Sequence, residues 1–241
     1  MPPLFITFEG IDGSGKSTHL KRAAEWLAQH GVACRQTHEP GGTPLGDGLR
    51  QLFLDRRWGA LDGTVELLML FASRRQHLLE VIEPALAAGE IVLCDRFTDS
   101  TCAYQGRGRG VPLDFIDQID LLATGRRRPD RTLLFDLPAA AARTRRHGGR
   151  SGDPGDPGDP GGQRAVPGGR RRGRADRADR ADRLDAEDLA FYERVRQGFL
   201  EQAEREPRRF RIVESGGDPA RTAAQVRAAL EDLLPAGVVR A

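Results

Sequence analysis

The sequence predicts an α/β fold of three layers, in which a five-stranded parallel sheet is covered by helices on both faces. Five short apolar runs alternate along the chain with segments of helical character, which is the order that a parallel sheet with crossover helices requires. The chain has 241 residues, of which 39% are hydrophobic and 30% charged, so one domain can bury a core of ordinary size. We therefore expect a single domain over residues 1–241.

The predicted strands are apolar runs that end at polar or turn residues. The first run leads into Glu9 and Gly10, and the third leads into Asp95. In chain order, the strands are predicted at residues 4–8, 32–38, 91–94, 132–137 and 210–213. A helix is predicted after the first strand, to about residue 30, and further helices at residues 49–54, 65–88, 113–123, 185–204 and 219–234. Gly89 ends the long helix in the manner of a C-terminal glycine.

Residues 148–182 break this alternation. They contain Gly-Asp-Pro three times at 152–160 and Arg-Ala-Asp three times at 174–182. A segment with so few apolar side chains has nothing to bury, so its composition predicts a solvated, disordered insertion in a surface loop. The alternative is an anion-binding arm. Nine Arg against six Asp over residues 148–183 give a net charge of only +3, which weakens that alternative.

Composition excludes several classes of protein. The formal net charge of +2 gives no general basis for binding nucleic acid. No apolar run approaches the ~20 residues that span a bilayer, and the N-terminus lacks the pattern of a secretory signal. The three cysteines, Cys34, Cys94 and Cys102, are odd in number and have no metal-ligand spacing. We therefore expect a cytoplasmic protein without a nucleic-acid or membrane partner.

The segment Gly10-Ile11-Asp12-Gly13-Ser14-Gly15-Lys16-Ser17 fits the pattern G-x-x-x-x-G-K-[ST] and lies between a predicted strand and a predicted helix. Its glycines allow successive backbone N–H groups to converge on a phosphate at a helix N-terminus. Lys16 supplies a positive charge for the β- and γ-phosphates, and the Ser17 hydroxyl is placed to ligate Mg²⁺. The motif predicts a nucleoside triphosphate site in a P-loop NTPase fold, with a chance glycine-rich turn as the alternative.

Lysine usage narrows the class further. Of the 37 basic residues only Lys16 and Lys21 are lysines. The guanine-reading motif Asn/Thr-Lys-x-Asp needs a lysine beyond the P-loop, so the sequence excludes an ordinary GTPase. Because a P-loop alone does not separate a kinase from a motor or a transporter ATPase, the function depends on a second site.

Candidate residues for that second site follow the predicted second and third strands, where parallel strands end beside a ligand crevice. Glu39-Pro40 follows the second strand, and an ordinary loop is the alternative reading. Asp95-Arg96 follows the third strand and suits magnesium or phosphate, with a structural ion pair as the alternative. Gln105 carries both a donor and an acceptor, which suits a base edge. Phe71 and Arg74 share a helix face, although core packing beside a solvated charge would give the same pattern.

Together these segments resemble the bacterial thymidylate kinases. The resemblance rests on residues 8–18 (FEGIDGSGKST), 39–43 (EPGGT) and 95–110 (DRFTDSTCAYQGRGRG). It runs from Leu4 to about Gln105, resumes at residues 128–130 and covers the C-terminal helices. Each segment alone is weak, but their combination is specific.

The resemblance implies a homodimeric enzyme that transfers the γ-phosphoryl group of ATP to dTMP for dTTP biosynthesis, with Mg²⁺ as cofactor. The implied catalytic residues are Lys16, Asp12, Arg96 and Arg183. The implied ATP site comprises Gly10, Ile11, Asp12, Gly13, Ser14, Gly15, Lys16, Ser17, Thr18 and Arg145. The implied dTMP site comprises Glu39, Pro40, Arg50, Phe71, Arg74, Arg96, Thr101, Tyr104 and Gln105. The implied metal ligands are Ser17 and Asp95.

Within the implied dTMP site, each side chain has an expected role. Three arginines are expected to hold the acceptor phosphate, namely Arg50, Arg74 and Arg96. Phe71 is expected to stack on thymine, although some family members carry the ring four residues before the arginine, where this chain has Leu70. Thr101 and Gln105 are expected to read the edge of the base. Tyr104 is expected to crowd C2′ and so disfavour a ribose hydroxyl.

One position departs from part of the family. Some thymidylate kinases carry an arginine directly after the P-loop aspartate, where this chain has Gly13. The resemblance then implies an arginine supplied by a lid over ATP, at residues 143–185, which contains the repeat insertion. Arg145, Arg146 and Arg183 are the candidates for that arginine.

Two other functions remain open from the sequence. Another P-loop nucleoside or nucleotide kinase would share the phosphate-binding groups but accept a different substrate. A nucleotide-binding regulatory protein without turnover would share the P-loop alone. The complete set of phosphate-binding residues argues against the second of these.

Overall fold

The computed structural model describes residues 3–148 and 183–234. Its five strands form one sheet in the order β2-β3-β1-β4-β5, and every neighbouring pair is parallel. The strands are β1 (Phe5–Glu9), β2 (Cys34–His38), β3 (Ile91–Asp95), β4 (Arg131–Asp136) and β5 (Phe210–Glu214). The predicted α/β class and all five predicted strands are confirmed.

Nine α-helices lie within the described residues. They are α1 (Lys16–Gln29), α2 (Pro44–Leu54), α3 (Gly63–His77), α4 (Glu83–Ala87), α5 (Thr98–Thr101), α6 (Leu113–Thr124), α7 (Ala139–Gly148), α8 (Leu189–Arg205) and α9 (Pro219–Glu231). Two π-helical segments, Leu78–Ile82 and Cys102–Gly108, join α3 to α4 and extend α5, and short 3-10 turns occur at Arg56–Trp58 and Leu184–Ala186. Among these residues, no helix is long and apolar enough to cross a membrane.

The central strand β1 shows how the three layers pack. Because side chains alternate along a strand, Ile6 and Phe8 face one side of the sheet and share a core with residues of α1 and α9. Phe5 faces the other side and packs with Ile82 and with Phe97, whose ring meets it edge to face at 4.9 Å. The sheet is therefore covered on both faces, as the near-continuous apolar strands predict.

Three helical segments differ from the prediction. Helix α2 begins at Pro44, five residues before the predicted start, because Thr43 Oγ1 accepts the Gly46 N–H at 3.0 Å and caps it. The helical run from Thr98 to Gly108 was not predicted, since its glycines indicate a loop. Helix α7 was not predicted either, and it covers the first residues of the expected lid. The rest of the predicted insertion, residues 149–182, lies outside the described residues.

The carboxyl ends of the parallel strands meet at one edge of the sheet. Glu9 leads into the P-loop there, and His38 and Asp95 are paired in the register of β2 with β3. In an open parallel sheet this edge is where ligands bind. The topology thus brings the segments singled out in the sequence to one place.

Candidate active site

The P-loop connects β1 to α1, and its glycines have backbone angles that other residues rarely adopt. Gly10 and Gly13 have φ values of +138° and +86°. A Cβ atom would lie 2.5 Å from the Phe135 carbonyl oxygen at the first position and 2.6 Å from that of Ala142 at the second. Only glycine fits such close approaches of backbone to backbone. The loop ends at Lys16, where α1 begins and its free N–H groups favour an anion.

Four side chains converge beside this loop. Arg96 donates to Asp12 Oδ1 at 2.6 Å and to the Tyr104 hydroxyl at 3.2 Å. The Tyr104 hydroxyl in turn donates to Asp12 Oδ2 at 3.2 Å, and Lys16 Nζ lies 3.5 Å from Asp12 Oδ1. The predicted residues Asp12, Lys16, Arg96 and Tyr104 are therefore brought together by the fold.

Burial and the neighbouring charges act differently on Asp12 and on Lys16. Burial opposes the charge on Asp12, but Arg96 and Lys16 outweigh it and hold the pKa of Asp12 well below its usual range. Burial and the neighbouring Arg96 lower the pKa of Lys16, while Asp95 and Asp12 act in the opposite direction. The result is a fixed arrangement of charge that an anionic ligand completes.

Ser17, at the end of the P-loop, also contacts Asp95, at the end of β3. The Ser17 hydroxyl donates to Asp95 Oδ2. Asp95 Oδ1 is buried and has no hydrogen-bond partner among the described residues. A hydroxyl and a carboxylate with a free oxygen are the oxygen donors that Mg²⁺ accepts together with phosphate oxygens. No cluster of three or more His, Cys, Asp or Glu residues that could hold a metal by itself occurs in the described part of the chain.

A cavity of about 630 Å³, counted to its open mouth, adjoins the P-loop, and we call it the strand-end cavity. Nine of the predicted site residues line it: Asp12, Glu39, Pro40, Arg50, Arg74, Arg96, Thr101, Tyr104 and Gln105. Leu70, the alternative to Phe71, lines it as well. Five further residues, none of them among the predicted site residues, complete the wall: Phe53, Leu54, Phe97, Ser100 and Leu184.

A buried polar chain runs along one wall of the strand-end cavity. Glu39 accepts from Arg74 Nε at 2.6 Å and pairs with His77 Nδ1 at 2.9 Å. Arg74 Nη2 donates to Thr101 Oγ1 at 3.0 Å, and its Nη1 is buried without a partner among the described residues. Burial works against the charge on Glu39, but Arg74 and His77 lower its pKa overall. These hydrogen bonds hold the Arg74 guanidinium in the cavity wall, with its Nη1 free to donate to a ligand.

The structure corrects the expected position of the aromatic platform. Phe71 is buried with Leu67 and Ile116 and does not line the strand-end cavity. The Arg74 guanidinium lies over its ring at 4.7 Å, so Phe71 supports Arg74 from behind. Leu70 occupies the cavity wall instead, because one helical position turns the side chain by about 100°.

The structure also corrects the expected role of Arg183. Its side chain is 4% exposed and pairs with the fully buried Glu66 at 2.6 Å. Its Nε donates to the Phe53 carbonyl oxygen at 3.1 Å, and its backbone N–H donates to that of Leu54. Two of the three guanidinium nitrogens are therefore held in the core, and Nη2 is buried without a partner among the described residues. The pair joins residues 117 positions apart, which no local pattern in the sequence reveals.

The other two lid candidates lie near the P-loop on α7. Arg145 is exposed and helps to lower the pKa of His19 on α1, after the larger effects of burial and of Arg22. Arg146 Cγ would lie 3.0 Å from a Cβ atom at Gly13, and its charge also lowers the pKa of Asp12. Arg146 contacts Asp185 at 3.0 Å, and its Nε is buried without a partner among the described residues.

Sequence reasoning missed two buried carboxylates. Glu9 accepts the Phe97 N–H at 2.7 Å and the Ser100 hydroxyl at 2.6 Å. Glu66 accepts from Gln105 Nε2 at 2.8 Å. The available signal was the same in both cases, a Glu placed where the apolar pattern of a strand or helix face predicts burial.

A phosphate cradle that opens into a second, arginine-lined cavity is the arrangement of a P-loop kinase, because such an enzyme must hold donor and acceptor phosphates side by side. Comparison with known proteins narrows the class. The family model described as thymidylate kinase matches residues 8–153. The chain belongs to the thymidylate kinase family.

Individual relatives cover almost the whole chain. The thymidylate kinase of Desulfosudis oleivorans is 42% identical over 228 residues, which is 95% of this chain and 96% of that protein. The thymidylate kinase of Pseudomonas syringae pv. syringae is 44% identical over 98% of this chain and 96% of its own length. The crystal structure of thymidylate kinase from Ehrlichia chaffeensis has a TM-score of 0.70 at 32% identity, covering 96% of this chain and all of that one.

Proposed function

We propose that this protein is an ATP:dTMP phosphotransferase. The observation that carries the proposal is the position of Asp12, which belongs to the P-loop and also lines the strand-end cavity, where it accepts from Arg96. A nucleotide bound by the P-loop and a monophosphate bound in the cavity would meet at this point. The names of the relatives support dTMP as the acceptor.

The chain's own residues account for most of the required catalysis. Phosphoryl transfer needs in-line positioning and neutralisation of charge on the transferring group. The P-loop backbone from Gly10 to Thr18 and the Lys16 ammonium would hold the β- and γ-phosphates of ATP. Arg96, fixed by Asp12 and Ser100, would contact the acceptor phosphate from the other side. Both cations are largely buried, which strengthens their interaction with phosphate relative to water.

Ser17 and Asp95 are the residues proposed to hold Mg²⁺, together with phosphate oxygens. When bound, the ion would neutralise charge on the β- and γ-phosphates. The unpartnered Asp95 Oδ1 supports this assignment, because a buried carboxylate oxygen without a donor is costly unless a ligand completes it.

Arg146 is the arginine that we propose for the transferring phosphate. The space beside Gly13, which a P-loop side chain would need, is filled by α7. Arg146 Cγ lies beside Gly13, its Nη1 donates to the Tyr192 hydroxyl at 2.9 Å, and its charge helps to lower the pKa of Asp12. Arg145, one residue earlier, remains a proposed contact for ATP. Arg183 is instead assigned to the buried pair with Glu66.

The rest of the strand-end cavity is proposed as the dTMP site. Arg50, whose Nη1 donates to the Pro40 carbonyl oxygen at 3.0 Å, and the unpartnered Nη1 of Arg74 supply further donors for the acceptor. Tyr104 is held between Asp12 and Arg96, where its ring would exclude a 2′-hydroxyl. Thr101 and Gln105 are proposed to read the base.

The direct experiment is a coupled ADP-release assay across dTMP, dUMP, dCMP, CMP and thymidine. We expect dTMP to give the highest kcat/KM. A different preferred acceptor would show another P-loop nucleoside or nucleotide kinase, and ATP binding without transfer to any acceptor would show a regulatory nucleotide-binding protein.

We further propose that the protein forms a homodimer through α3 and α6 in the cytoplasm. These packed helices expose Val65, Leu68 and Leu122, the last of them 84% exposed. Exposed apolar residues on adjoining helices favour pairing with a second copy. Leu122→Glu should shift the mass measured by light scattering to that of a monomer, whereas Ile212→Glu, an exposed apolar residue on β5, should not. The cytoplasmic location is supported by the three free cysteines, because thiols stay reduced in that compartment.

A further inference from the structure

Glu66, on α3, is a buried carboxylate that gathers three donors from separate parts of the chain. It accepts from Gln105 Nε2 at 2.8 Å, from Arg183 Nη1 at 2.6 Å and from Arg109 Nε at 3.4 Å. Its side chain is fully buried. It is not part of the wall of the strand-end cavity, whereas Gln105 is.

The contact with Glu66 decides which way the Gln105 amide points. A carboxylate bound by guanidinium groups accepts hydrogen bonds and donates none, so the amide group facing it must be the NH₂. The carbonyl oxygen, Oε1, is then directed away from Glu66. Among the described residues no donor is hydrogen-bonded to Oε1, so Gln105 offers the cavity a hydrogen-bond acceptor.

We propose that Glu66 is a specificity-determining positioning residue, which orients Gln105 so that its Oε1 accepts the N3–H of a thymine or uracil base. This inference rests on the proposed function, in which Gln105 faces the base. Cytosine carries an acceptor at N3, so the same orientation would set two lone pairs against each other and disfavour a cytosine nucleotide. An amide free to rotate would accommodate either base, and Glu66 removes that freedom.

Arg109 and Arg183 place two positive charges against the buried Glu66 side chain. An unpaired buried charge is costly, and two guanidinium groups around Glu66 compensate for its desolvation. Arg109 also pairs with Glu187 at 2.7 Å, so it has a second anchor that does not depend on Glu66. Of the three side chains bound to Glu66, only that of Gln105 lines the strand-end cavity.

The test is Glu66→Gln with equilibrium binding of dTMP, dUMP and dCMP by calorimetry, alongside kcat and KM for dTMP. A glutamine at this position donates as well as accepts, so the Gln105 amide can turn over. We expect the dTMP-to-dCMP affinity ratio to fall about tenfold or more, as for the loss of one oriented hydrogen bond in a buried site. KM for dTMP should rise more than kcat falls.

Arg109→Met is the matched control. It disrupts the same cluster and should lower the melting temperature, yet it leaves the bond from Gln105 to Glu66 in place and should keep the affinity ratio. An equal fall of the ratio in Arg109→Met would overturn the proposal, because any damage to the cluster would then suffice. If Glu66→Gln does not fold, Glu66→Gln with Arg183→Met removes both members of the buried pair, and the same fall is expected.

Gln105→Ala separates this proposal from the proposed function. If Gln105→Ala lowers the ratio and Glu66→Gln in that background lowers it no further, Glu66 acts through Gln105. If Gln105→Ala lowers the ratio and Glu66→Gln alone does not, the positioning role of Glu66 is wrong while the base-reading site stands. An unchanged ratio in Gln105→Ala would contradict the proposed site itself, and the role of Glu66 with it.

Discussion

Arg96 shows how backbone strain is used at this site. Its φ of 76° lies in the left-handed region, which costs a residue other than glycine on the order of 1–3 kcal/mol. Contacts on both sides offset the strain, since the Arg96 N–H donates to the Phe8 carbonyl oxygen at 3.1 Å and the guanidinium donates to Asp12 and Ser100. The turn at the end of β3 thereby directs a guanidinium back to the P-loop.

At the residue scale, local motifs could be predicted and distant partners could not. The P-loop residues are consecutive, so their chemistry was evident from the sequence. Leu70 rather than Phe71 lines the strand-end cavity because of a rotation of one helical position, which the spacing to Arg74 leaves open. The partner of Arg183 depends on tertiary packing, and the sequence reasoning therefore assigned it to the lid.

Arg146→Ala should lower kcat about a hundredfold or more, because it removes a donor beside the transferring phosphate. Arg143→Ala is the control, since Arg143 is exposed on the same helix. Steady-state kinetics of both variants with ATP and dTMP would check this. If the two variants have equal kcat, Arg146 has no role in transfer.

Arg183→Ala should lower the free energy of unfolding by about 1–3 kcal/mol, because it removes the closest cation from the buried Glu66 while Arg109 stays beside it. Arg57→Ala is the control, because Arg57 pairs with Asp55 at the surface, where solvent screens the interaction. Urea denaturation measures both. Unchanged stability of Arg183→Ala with a large loss of kcat would restore the lid role that the sequence suggested.

At the scale of elements, β1 ends at Glu9, whose buried carboxyl group keeps its proton to an unusually high pH. Burial, with a contribution from Asp99, raises the pKa of Glu9 to about 8. Glu9 lies one residue before the P-loop and binds the backbone at Phe97 and the Ser100 side chain, which ties the end of β1 to the start of α5. The apolar run predicted the strand and the burial of its end, but not the pKa of the Glu9 carboxyl, which depends on the tertiary neighbours Asp99 and Ser100.

The contribution of Glu9 to the stability of the protein should therefore decrease as pH rises between about 4.5 and about 8, whereas His19 and His38, whose pKa values burial lowers, act in the opposite direction. In this range the unfolded chain releases the Glu9 proton while the folded chain keeps it, so the unfolded state gains relative to the folded state. Glu9→Gln should flatten this dependence, measured as the free energy of unfolding in urea at several pH values. Glu214→Gln, at the exposed end of β5, should not. Equal slopes in wild type and Glu9→Gln would contradict the assignment.

At the scale of the whole molecule, apolar strand runs separated by helices sufficed to predict the sheet. They did not predict α7, whose alanines and arginines favour a helix but have no apolar period, or the helical run after β3, whose glycines disfavour a helix. The run after β3 forms against the packed core. Gly108 illustrates this, since a Cβ atom there would lie 2.7 Å from the Phe191 ring of α8. Tertiary contact, rather than helix propensity, determines that segment.

Deletion of residues 149–173 should leave folding and most of the activity unchanged. The deleted sequence has almost no apolar residues, and shortening a surface connection changes its closure free energy by only about 0.6 kcal/mol per halving of length. The deletion spares Arg145 and Arg146. Melting temperature and kcat would be compared with those of the full chain, and a hundredfold loss of kcat in a folded variant would show that the repeats contribute to catalysis.

The account depends on one claim, that a phosphoryl group passes from ATP at the P-loop to dTMP in the strand-end cavity. The most direct measurement is to follow the labelled γ-phosphate of ATP in the presence of dTMP. We predict that the label appears in dTDP in equal amount to the ADP formed. Lys16→Ala, in a folded protein, should reduce this transfer about a thousandfold or more. Label found only in inorganic phosphate, or transfer that persists in Lys16→Ala, would contradict the account.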